Sequence, residues 1–261
     1  MDRVTTTDRR TALRAGAGLV AGGALAAGCA TTGPAAAPAS PARAPAAKAT
    51  PLTAPAPRAF PRQPAQITHG PRDRPRIALT FHGQGDPSIA TALLTEAEKH
   101  GARVTVLAVG TWLDTHPGMA RRILDGGHDL GNHTQRHIAV NTLSEADALA
   151  EITGCADRLK RLTGSIGTWF QALARPGRVP LVQRLAHRVG YPHVLSYDVD
   201  SLDFTEPGAP AITRKVLAEV RDGSVVSMHF GYAGTVAALP AVLQELDRRG
   251  LRAVTTTELL S

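Results

Sequence analysis

The sequence has few aromatic residues and only two cysteines, and both shortages limit what the chain can be. Phe, Trp and Tyr make up 4% of the 261 residues, although 43% are hydrophobic and 19 are proline. Much of the alanine must therefore lie outside a packed core, and the remaining apolar residues suffice for one ordinary domain. Cys29 lies in a targeting segment, so Cys155 has no partner for a disulfide within the domain.

Acidic residues are nearly absent from the first part of the chain. Residues 1–70 hold eight Lys and Arg but only two Asp and Glu, whereas residues 71–261 hold 21 and 20. The formal net charge of +7 thus belongs almost entirely to the N-terminal segment. A nearly neutral folded part is not expected to form a basic stripe that tracks a phosphate backbone, which argues against nucleic acid as a partner.

Residues 1–29 have the pattern of an export signal. Arg9-Arg10 precede a mildly apolar run over residues 15–28, and the run ends at Leu25-Ala26-Ala27-Gly28-Cys29. This resembles a Tat signal with a lipobox, in which Cys29 is lipidated and anchors the chain at the outer face of the cytoplasmic membrane. A plain cleaved signal is the alternative, because Ala26 stands where a lipobox usually has a larger aliphatic residue. A membrane-spanning helix is the weaker interpretation, since such a helix needs roughly 18 or more apolar residues.

Residues 30–72 are rich in Ala and Pro and contain almost no aromatic or β-branched side chains. Such a segment buries too little surface to offset the entropy of ordering it, so we predict a disordered linker. Proline stiffens the linker and would let it hold the domain away from a membrane, within reach of a cell wall. The folded domain is then expected over residues 73–261.

Beyond residue 75, short apolar runs alternate with amphipathic stretches, which is typical of repeated βα units. The predicted strands are Ile77–Phe81, Val104–Val109, Asp129–Asn132, Gly167–Phe170, His193–Asp198, Ser224–Phe230 and Arg252–Thr255. The predicted helices are Ser88–His100, Met119–Asp125, Ser144–Leu162, Val179–Val189, Pro210–Arg221 and Ala237–Arg249. About seven parallel strands favour an α/β barrel over an open doubly wound sheet, although periodicity does not separate the two.

Ionisable side chains stand at or just beyond the ends of four of the predicted strands. They are His82, His133, the pair Asp200 and Asp203, and His229. The C-terminal ends of parallel strands meet at one edge, so these side chains are candidates for a common site. His133 and His137 are four residues apart, and on one helical turn both imidazoles could hold the same metal ion.

Several of these residues belong to motifs that occur in the order known from one enzyme family. Residues 131–137 contain His-Thr-x-x-His, residues 77–81 form a strand ending in Thr-Phe, residues 200–204 read Asp-x-x-Asp-Phe, and residues 227–229 read Ser-Met-His. Together they resemble the NodB-like polysaccharide deacetylases, carbohydrate esterase family 4, over residues 75–261. The resemblance implies a distorted (β/α) barrel.

The resemblance also implies roles for individual residues. His133 and His137 would hold a divalent metal, zinc or cobalt, and His229 would protonate the leaving group, with Asp200 or Asp203 as its acidic partner. The expected substrate is an acetylated polysaccharide of the peptidoglycan or chitin type. Trp169, Phe170 and Tyr232 are candidates for stacking on a sugar ring, with burial in the core as an equally weighted alternative.

The first motif departs from the family pattern. Where the family has Asp-Asp-Gly, this chain has His82-Gly83-Gln84-Gly85-Asp86, so the base aspartate becomes His82 and the ligand aspartate becomes glycine. His82 could complete a three-histidine metal site or act as the base, Asp86 could reach in from the loop, or metal binding could be weakened or lost. Gln171 aligns with the family arginine that pairs with the base, so both charges of that pair are gone together.

The expected function is hydrolysis of acetyl groups on N-acetylated or O-acetylated sugars outside the cytoplasmic membrane. A wall-binding pseudoenzyme that retains the barrel and its groove is the alternative, because Gly83 cannot ligate a metal through a side chain. A hydrolase for a cyclic amide or an ester is a third, weaker possibility.

Overall fold

The computed structural model of the protein describes residues 53–173 and 179–261. The predicted signal over residues 1–29 and the predicted linker up to residue 52 lie outside the described residues. Residues 53–72, which the composition assigns to the linker, pack against the domain. Phe60 is buried and stacks on Trp169 with ring centroids 5.5 Å apart, and Ile67 is fully buried. The packed domain therefore includes residues before residue 73.

Within the described residues, strands and helices alternate along the chain. The strands are Gln66–Ile67 (β1), Arg76–Gly83 (β2), Thr105–Ala108 (β3), Asp129–Asn132 (β4), Val194–Leu195 (β5), Val199–Asp200 (β6), Val225–His229 (β7) and Arg252–Val254 (β8). The helices are Pro87–Lys99 (α1), Gly110–Thr115 (α2), Gly118–Asp125 (α3), Glu145–Thr163 (α4), Val179–Val189 (α5), Ala209–Glu219 (α6), Ala233–Arg248 (α7) and Thr256–Leu260 (α8). The predicted α/β class is confirmed.

The central sheet has the order β4-β3-β2-β7-β6, and β8 pairs with the first half of β2. Every ladder between named strands is parallel. Seven of the eight β2 residues are buried, as expected when helices cover the sheet and the strands lie in the interior. The C-terminal ends of β2, β4 and β7 therefore meet at one edge of the molecule.

Isolated contacts continue this sheet into a distorted barrel. Asn132 at the end of β4 forms a parallel bridge with Phe170, and the Leu195 amide donates to the Phe170 carbonyl at 2.8 Å. Strand β5 then pairs with β1, and His69 after β1 bridges Ser224 before β7. The ring closes through short ladders and single bridges, which is why the barrel is distorted.

The segment predicted as the strand Gly167–Phe170 is reduced to this single bridge. Gly167 has a φ of 89°, outside the extended conformation that a strand needs. The two-residue strands β1 and β6 and the short helices α2 and α8 were not predicted, because elements this short show no measurable periodicity.

Helix ends carry the expected capping groups. The Asp86 side chain accepts a hydrogen bond from the Ser88 amide at the start of α1, and the Ser144 hydroxyl accepts one from the Asp147 amide at the start of α4. Gly164 ends α4 in the left-handed conformation that glycine adopts without strain. In the described part of the chain, no helix is both long and apolar enough to cross a membrane.

Candidate active site

Four histidines converge at the C-terminal ends of the strands. His82 on β2 and His229 on β7 are register partners, and their ring centroids lie 4.3 Å apart. The ring of His133, which follows β4, lies 4.0 Å from that of His82 and 4.6 Å from that of His137. Strand register thus brings together side chains that are up to 147 positions apart in the sequence.

The segment that joins His133 and His137 is a loop and not the helical turn that their spacing predicts. Thr134 and His137 have positive φ values of 68° and 57°, so the backbone cannot continue as a right-handed helix. The Thr134 amide donates to Oδ1 of Asn132, and the Thr134 hydroxyl accepts from the His137 amide. These local hydrogen bonds stabilise a turn that directs both imidazoles to the same side.

His82, His133 and His137, called the three-histidine cluster below, are placed to share a cation. One ligand atom from each residue lies within 4.8 Å of those of the other two. Both ring nitrogens of His82 and the Nε2 atoms of His133 and His137 are buried without a hydrogen-bond partner. Such unsatisfied nitrogen atoms are costly unless another group binds them, which fits a metal ion held by imidazoles.

One hydrogen bond determines which nitrogen of His133 can act as a ligand. Nδ1 lies 3.0 Å from the carbonyl oxygen of Gln171, which can only accept, so Nδ1 carries the proton. Nε2 therefore presents its lone pair to the cluster. A hydrogen bond of this kind, from a ligand histidine to a backbone carbonyl, orients the ring and raises its basicity.

The three-histidine cluster is held in the neutral form that metal binding requires. Burial, together with the neighbouring imidazoles, lowers the pKa of His82 well below its ordinary value. The same two causes lower the pKa of His133 to about 3 and reduce that of His137. Protonation would place several positive charges within a few ångströms, so the neutral state persists at ordinary pH.

Gln171 and His82 occupy the two positions at which the family has an arginine paired with the base aspartate. The Gln171 amide opposes the lowering of the His82 pKa, although its Oε1 makes no hydrogen bond of ordinary geometry. An arginine here would add a positive charge beside three imidazoles. The neutral glutamine is therefore compatible with His82 where a cation is not.

His229 has a firmly held acidic partner, and that partner is Asp203. Nδ1 of His229 lies 2.7 Å from Oδ1 of Asp203, whose Oδ2 accepts hydrogen bonds from the His229 amide and the Thr235 hydroxyl. Burial alone would raise the Asp203 pKa, but these hydrogen bonds and the nearby imidazole outweigh it and lower the pKa. With Nδ1 engaged, Nε2 of His229 is left for another partner.

The other two predicted carboxylates, Asp200 and Asp86, are used in local backbone hydrogen bonds. Asp200 is partly exposed and its Oδ1 accepts from the Leu202 amide, so it shapes the turn after β6 while lining the cleft beside His229. Asp86 is exposed and caps α1, and its side chain does not reach the three-histidine cluster. The expectation that Asp86 reaches in is corrected, because its carboxylate is used to cap the helix.

Trp169 and Phe170 belong to the core and not to a sugar-binding surface. Their exposed fractions are 2% and 0%. The indole Nε1 of Trp169 donates to Oδ2 of Asp129 and to the Thr257 hydroxyl, while Phe170 packs near Tyr191. Neither ring is available for stacking, and the expectation for these two residues is corrected to the core alternative.

A cleft of about 250 Å³ opens over the histidines. Tyr232, a candidate for sugar stacking, lines it with its ring edge-on to His229 at 6.1 Å. Phe204 also lines the cleft, edge-on to His229 at 5.4 Å and 46% exposed. Leu173 and Tyr197 complete the apolar part of the lining. Phe204 closes the Asp-x-x-Asp-Phe motif, which was the signal that could have identified it.

Comparisons with known proteins agree with this geometry. A family model described as polysaccharide deacetylase matches residues 69–181. A peptidoglycan-N-acetylglucosamine deacetylase of Bacillus cereus is 30% identical over 199 residues, which cover 73% of this chain and 90% of that protein. The peptidoglycan-N-acetylglucosamine deacetylase PgdA of Listeria monocytogenes serotype 1/2a is 29% identical over 184 residues and 70% of this chain. The match spans only 38% of the Listeria protein's length.

A solved structure shows the same fold. The crystal structure of a CE4 family pseudoenzyme from Bacillus anthracis matches 76% of this chain and 70% of its own, with a TM-score of 0.70 and 23% identity. At this identity the likeness concerns the fold alone. The parallel distorted barrel, the histidines at its strand ends and the sequence matches lead to one assignment: the chain belongs to the polysaccharide deacetylase family.

Proposed function

We propose that this protein is an exported, metal-dependent hydrolase that removes acetyl groups from N-acetylated or O-acetylated sugars of a cell-wall polysaccharide. The observation that carries the proposal is the three-histidine cluster beside the paired His229 and Asp203, at one edge of the barrel. The Bacillus and Listeria relatives, both named peptidoglycan-N-acetylglucosamine deacetylases, support a substrate of the peptidoglycan type. A chitin-like polymer carries the same N-acetyl group.

The three-histidine cluster would hold a divalent cation, with zinc or cobalt as the candidates. Imidazole nitrogens suit both metals, and three of them leave a coordination position open on the cation. Such a cation supplies Lewis-acid chemistry, polarising the acetyl carbonyl and acidifying a water molecule. We assign His82 to the ligand set, because its ring nitrogens are buried, unpaired and within reach of the other two histidines.

His229 supplies the proton that the leaving group needs. Asp203 holds Nδ1 and so directs Nε2 towards the cleft, where it can donate to the sugar nitrogen or oxygen as the acetyl bond breaks. The side chains of Tyr232 and Phe204 flank this histidine and offer ring faces to the substrate.

The proposal is tested by acetate release together with metal content. Purified protein loaded with zinc or cobalt should release acetate from acetylated peptidoglycan fragments or chitooligosaccharides, and His133→Ala should abolish both release and stoichiometric metal binding. His187→Ala is the matched control, because His187 lies on α5 away from the three-histidine cluster and should leave both unchanged. A metal-loaded protein that releases no acetate from any acetylated glycan would refute the enzyme assignment.

A wall-binding pseudoenzyme is the second candidate, and Gly83 favours it. No carboxylate joins the three-histidine cluster among the described residues, and a side chain at Gly83 would meet the Cα of Ala108 and Cγ1 of Val106 at 3.0 Å. The packing of β2 against β3 thus opposes the substitution Gly83→Asp, which would restore the ligand aspartate of the family. Protein that stays metal-free after reconstitution but still binds peptidoglycan would favour this candidate.

The same proposal places the protein outside the cytoplasmic membrane. The twin arginines and the Cys29 lipobox support export and lipid anchoring, and the Ala/Pro-rich linker supports a tethered domain. Cell fractionation tests this placement, since Cys29→Ser should move a lipid-anchored protein from the membrane fraction to the medium. Unchanged membrane retention of that variant would contradict the lipid anchor.

A further inference from the structure

The barrel end opposite the cleft carries a concentration of arginines. Arg76 and Arg252 are the first residues of β2 and β8 and are register partners, while Arg103 and Arg221 come shortly before β3 and β7. With a rise of about 3.3 Å per residue, the start of β2 lies roughly 20 Å from His82. These arginines are therefore far from the three-histidine cluster and take no part in the proposed chemistry.

Two adjoining hollows lie on this surface. One, of about 490 Å³, is lined by Arg62, Arg72 and Arg74, and the other, of about 380 Å³, is lined by Arg72, Arg221 and Arg249. Arg72 belongs to both, so the arginines form one continuous surface. We call this surface the basic end; its members are Arg62, Arg72, Arg74, Arg221 and Arg249 with the flanking Arg76 and Arg252.

Part of this positive charge is not neutralised. Arg72 pairs with Asp198, Arg74 with Asp73 and Arg249 with Glu245, and Asp222 also lines the second hollow. By contrast, Arg62, Arg221 and Arg252 are exposed, and within residues 53–173 and 179–261 none of these three forms an ion pair with a carboxylate. Free guanidinium groups on an exposed surface are available to anionic partners.

The described chain starts at this same end. The Ala54 amide donates to the carbonyl of Thr163, the last residue of α4, and the Ser165 hydroxyl donates to the Pro55 carbonyl. Helices between parallel strands run back towards the strand starts, so the end of α4 lies beside the basic end. The preceding residues 29–52, which hold Arg43 and Lys48 and no acidic residue, join the domain here.

We propose that the basic end rests on an anionic phospholipid surface and thereby turns the catalytic cleft away from the membrane, towards the wall. Exposed arginines on a broad surface next to the membrane tether are the pattern that anionic headgroups attract. The cleft lining contains no Lys or Arg among the described residues, so the cleft itself offers no such attraction. The inference rests on the export and tethering proposed above, and not on catalysis.

Vesicle binding tests this surface in the full chain. All proteins carry Cys29→Ser, so that no lipid anchor contributes, and they are sedimented with phosphatidylglycerol–phosphatidylcholine vesicles or with phosphatidylcholine alone at about 0.1 M salt. The test variant combines Arg62→Gln, Arg221→Gln and Arg252→Gln. The control combines Arg121→Gln, Arg184→Gln and Arg214→Gln, three arginines on the outer helices, and changes the net charge by the same amount.

The test variant should bind anionic vesicles about a hundredfold more weakly, from about fivefold for each arginine. The control should stay within about twofold of the parent protein, because its arginines are dispersed over the helices. If vesicle binding weakens equally in both variants, the proposal is overturned, because the net charge of the protein and not the basic end would then determine binding. If the protein binds soluble polyphosphate but not anionic vesicles, the proposal is also overturned, because the partner of the basic end would then be a soluble polyanion and not a membrane. Acetate release and metal content of both variants report on folding and on the proposed function separately.

Discussion

Removing the Glu151 carboxylate tests how the loop between two members of the three-histidine cluster is held. Glu151 lies on α4 with 3% of its surface exposed. Its Oε2 accepts from the Arg136 amide at 2.8 Å, its Oε1 from Nε of Arg136 at 2.6 Å, and its backbone carbonyl from the Gln135 amide. One buried carboxylate thus holds the middle of the loop that carries His133 and His137.

The structure sets the expected magnitudes. Hydrogen bonds to a charged group contribute about 1.5–3 kcal/mol each. Glu151→Gln retains one acceptor but loses the charge, so the free energy of unfolding should fall by about 1–2 kcal/mol. Glu151→Ala loses both acceptors and should lower the free energy of unfolding by about 3–5 kcal/mol. Residues that orient a ligand from outside typically change metal affinity by about 10–100-fold, and we expect zinc affinity to fall within that range.

Urea unfolding and calorimetric zinc titration measure these two effects. Glu145→Ala is the matched control, because Glu145 lies on the same helix and forms only solvent-exposed ion pairs with Arg184 and Arg188. The Glu145→Ala substitution should lower the free energy of unfolding by less than about 1 kcal/mol and leave zinc affinity unchanged. Folded Glu151→Ala protein with parental zinc affinity would refute the positioning role, as would an equal loss in Glu145→Ala.

Four further outcomes are expected. His82→Ala should lower zinc affinity more than about 100-fold by calorimetry, beyond the loss of an outer partner; an unchanged affinity would remove His82 from the ligand set. Asp203→Asn should reduce kcat/KM for acetate release roughly 10²–10⁴-fold, because His229 loses its orienting charge, while metal content persists. In metal-free protein, the three-histidine cluster has lowered pKa values, so stability is complete above the ordinary value of 6.5. Below pH 6.5 the unfolded chain binds more protons, so stability falls with pH, and His133, with its pKa lowered to about 3, should by itself reduce the free energy of unfolding by about 1.4 kcal/mol per pH unit. A Tm that is flat from neutral pH to about pH 5 would contradict this. Trp169→Phe should destabilise the domain by about 1–2 kcal/mol in urea, through loss of the hydrogen bond to Asp129, without changing acetate release per folded molecule.

The sequence predicted the longer elements well because their pattern is local. Strand β4 and helix α5 have the predicted bounds, and α1 and α4 are each shifted by one residue. Hydrophobic period, capping residues and helix-ending glycines all act within a few residues, so they can be recognised without knowing the partner strand. The loop over residues 133–137 was predicted wrongly, because hydrogen bonds to Glu151 and Asn132 outweigh the helical spacing of its histidines.

The assignment of individual site residues depended on the tertiary structure. Asp200 ends β6 and Asp203 follows it, but only Asp203 lies against His229, because the turn at Leu202 enters the left-handed region and redirects the chain. From the sequence, Trp169 could equally stack on a sugar ring or lie in the core. Packing with Phe60, in a segment expected to be linker, buries it.

By itself, the amino-acid sequence determined the alternation of strands and helices, the family resemblance and the set of ionisable residues at the strand ends. Only the tertiary structure decided that His82 joins His133 and His137, that Asp86 does not, and that Asp203 serves His229. The physical reason is that distances between residues on different strands follow from register and barrel closure, which no local pattern encodes.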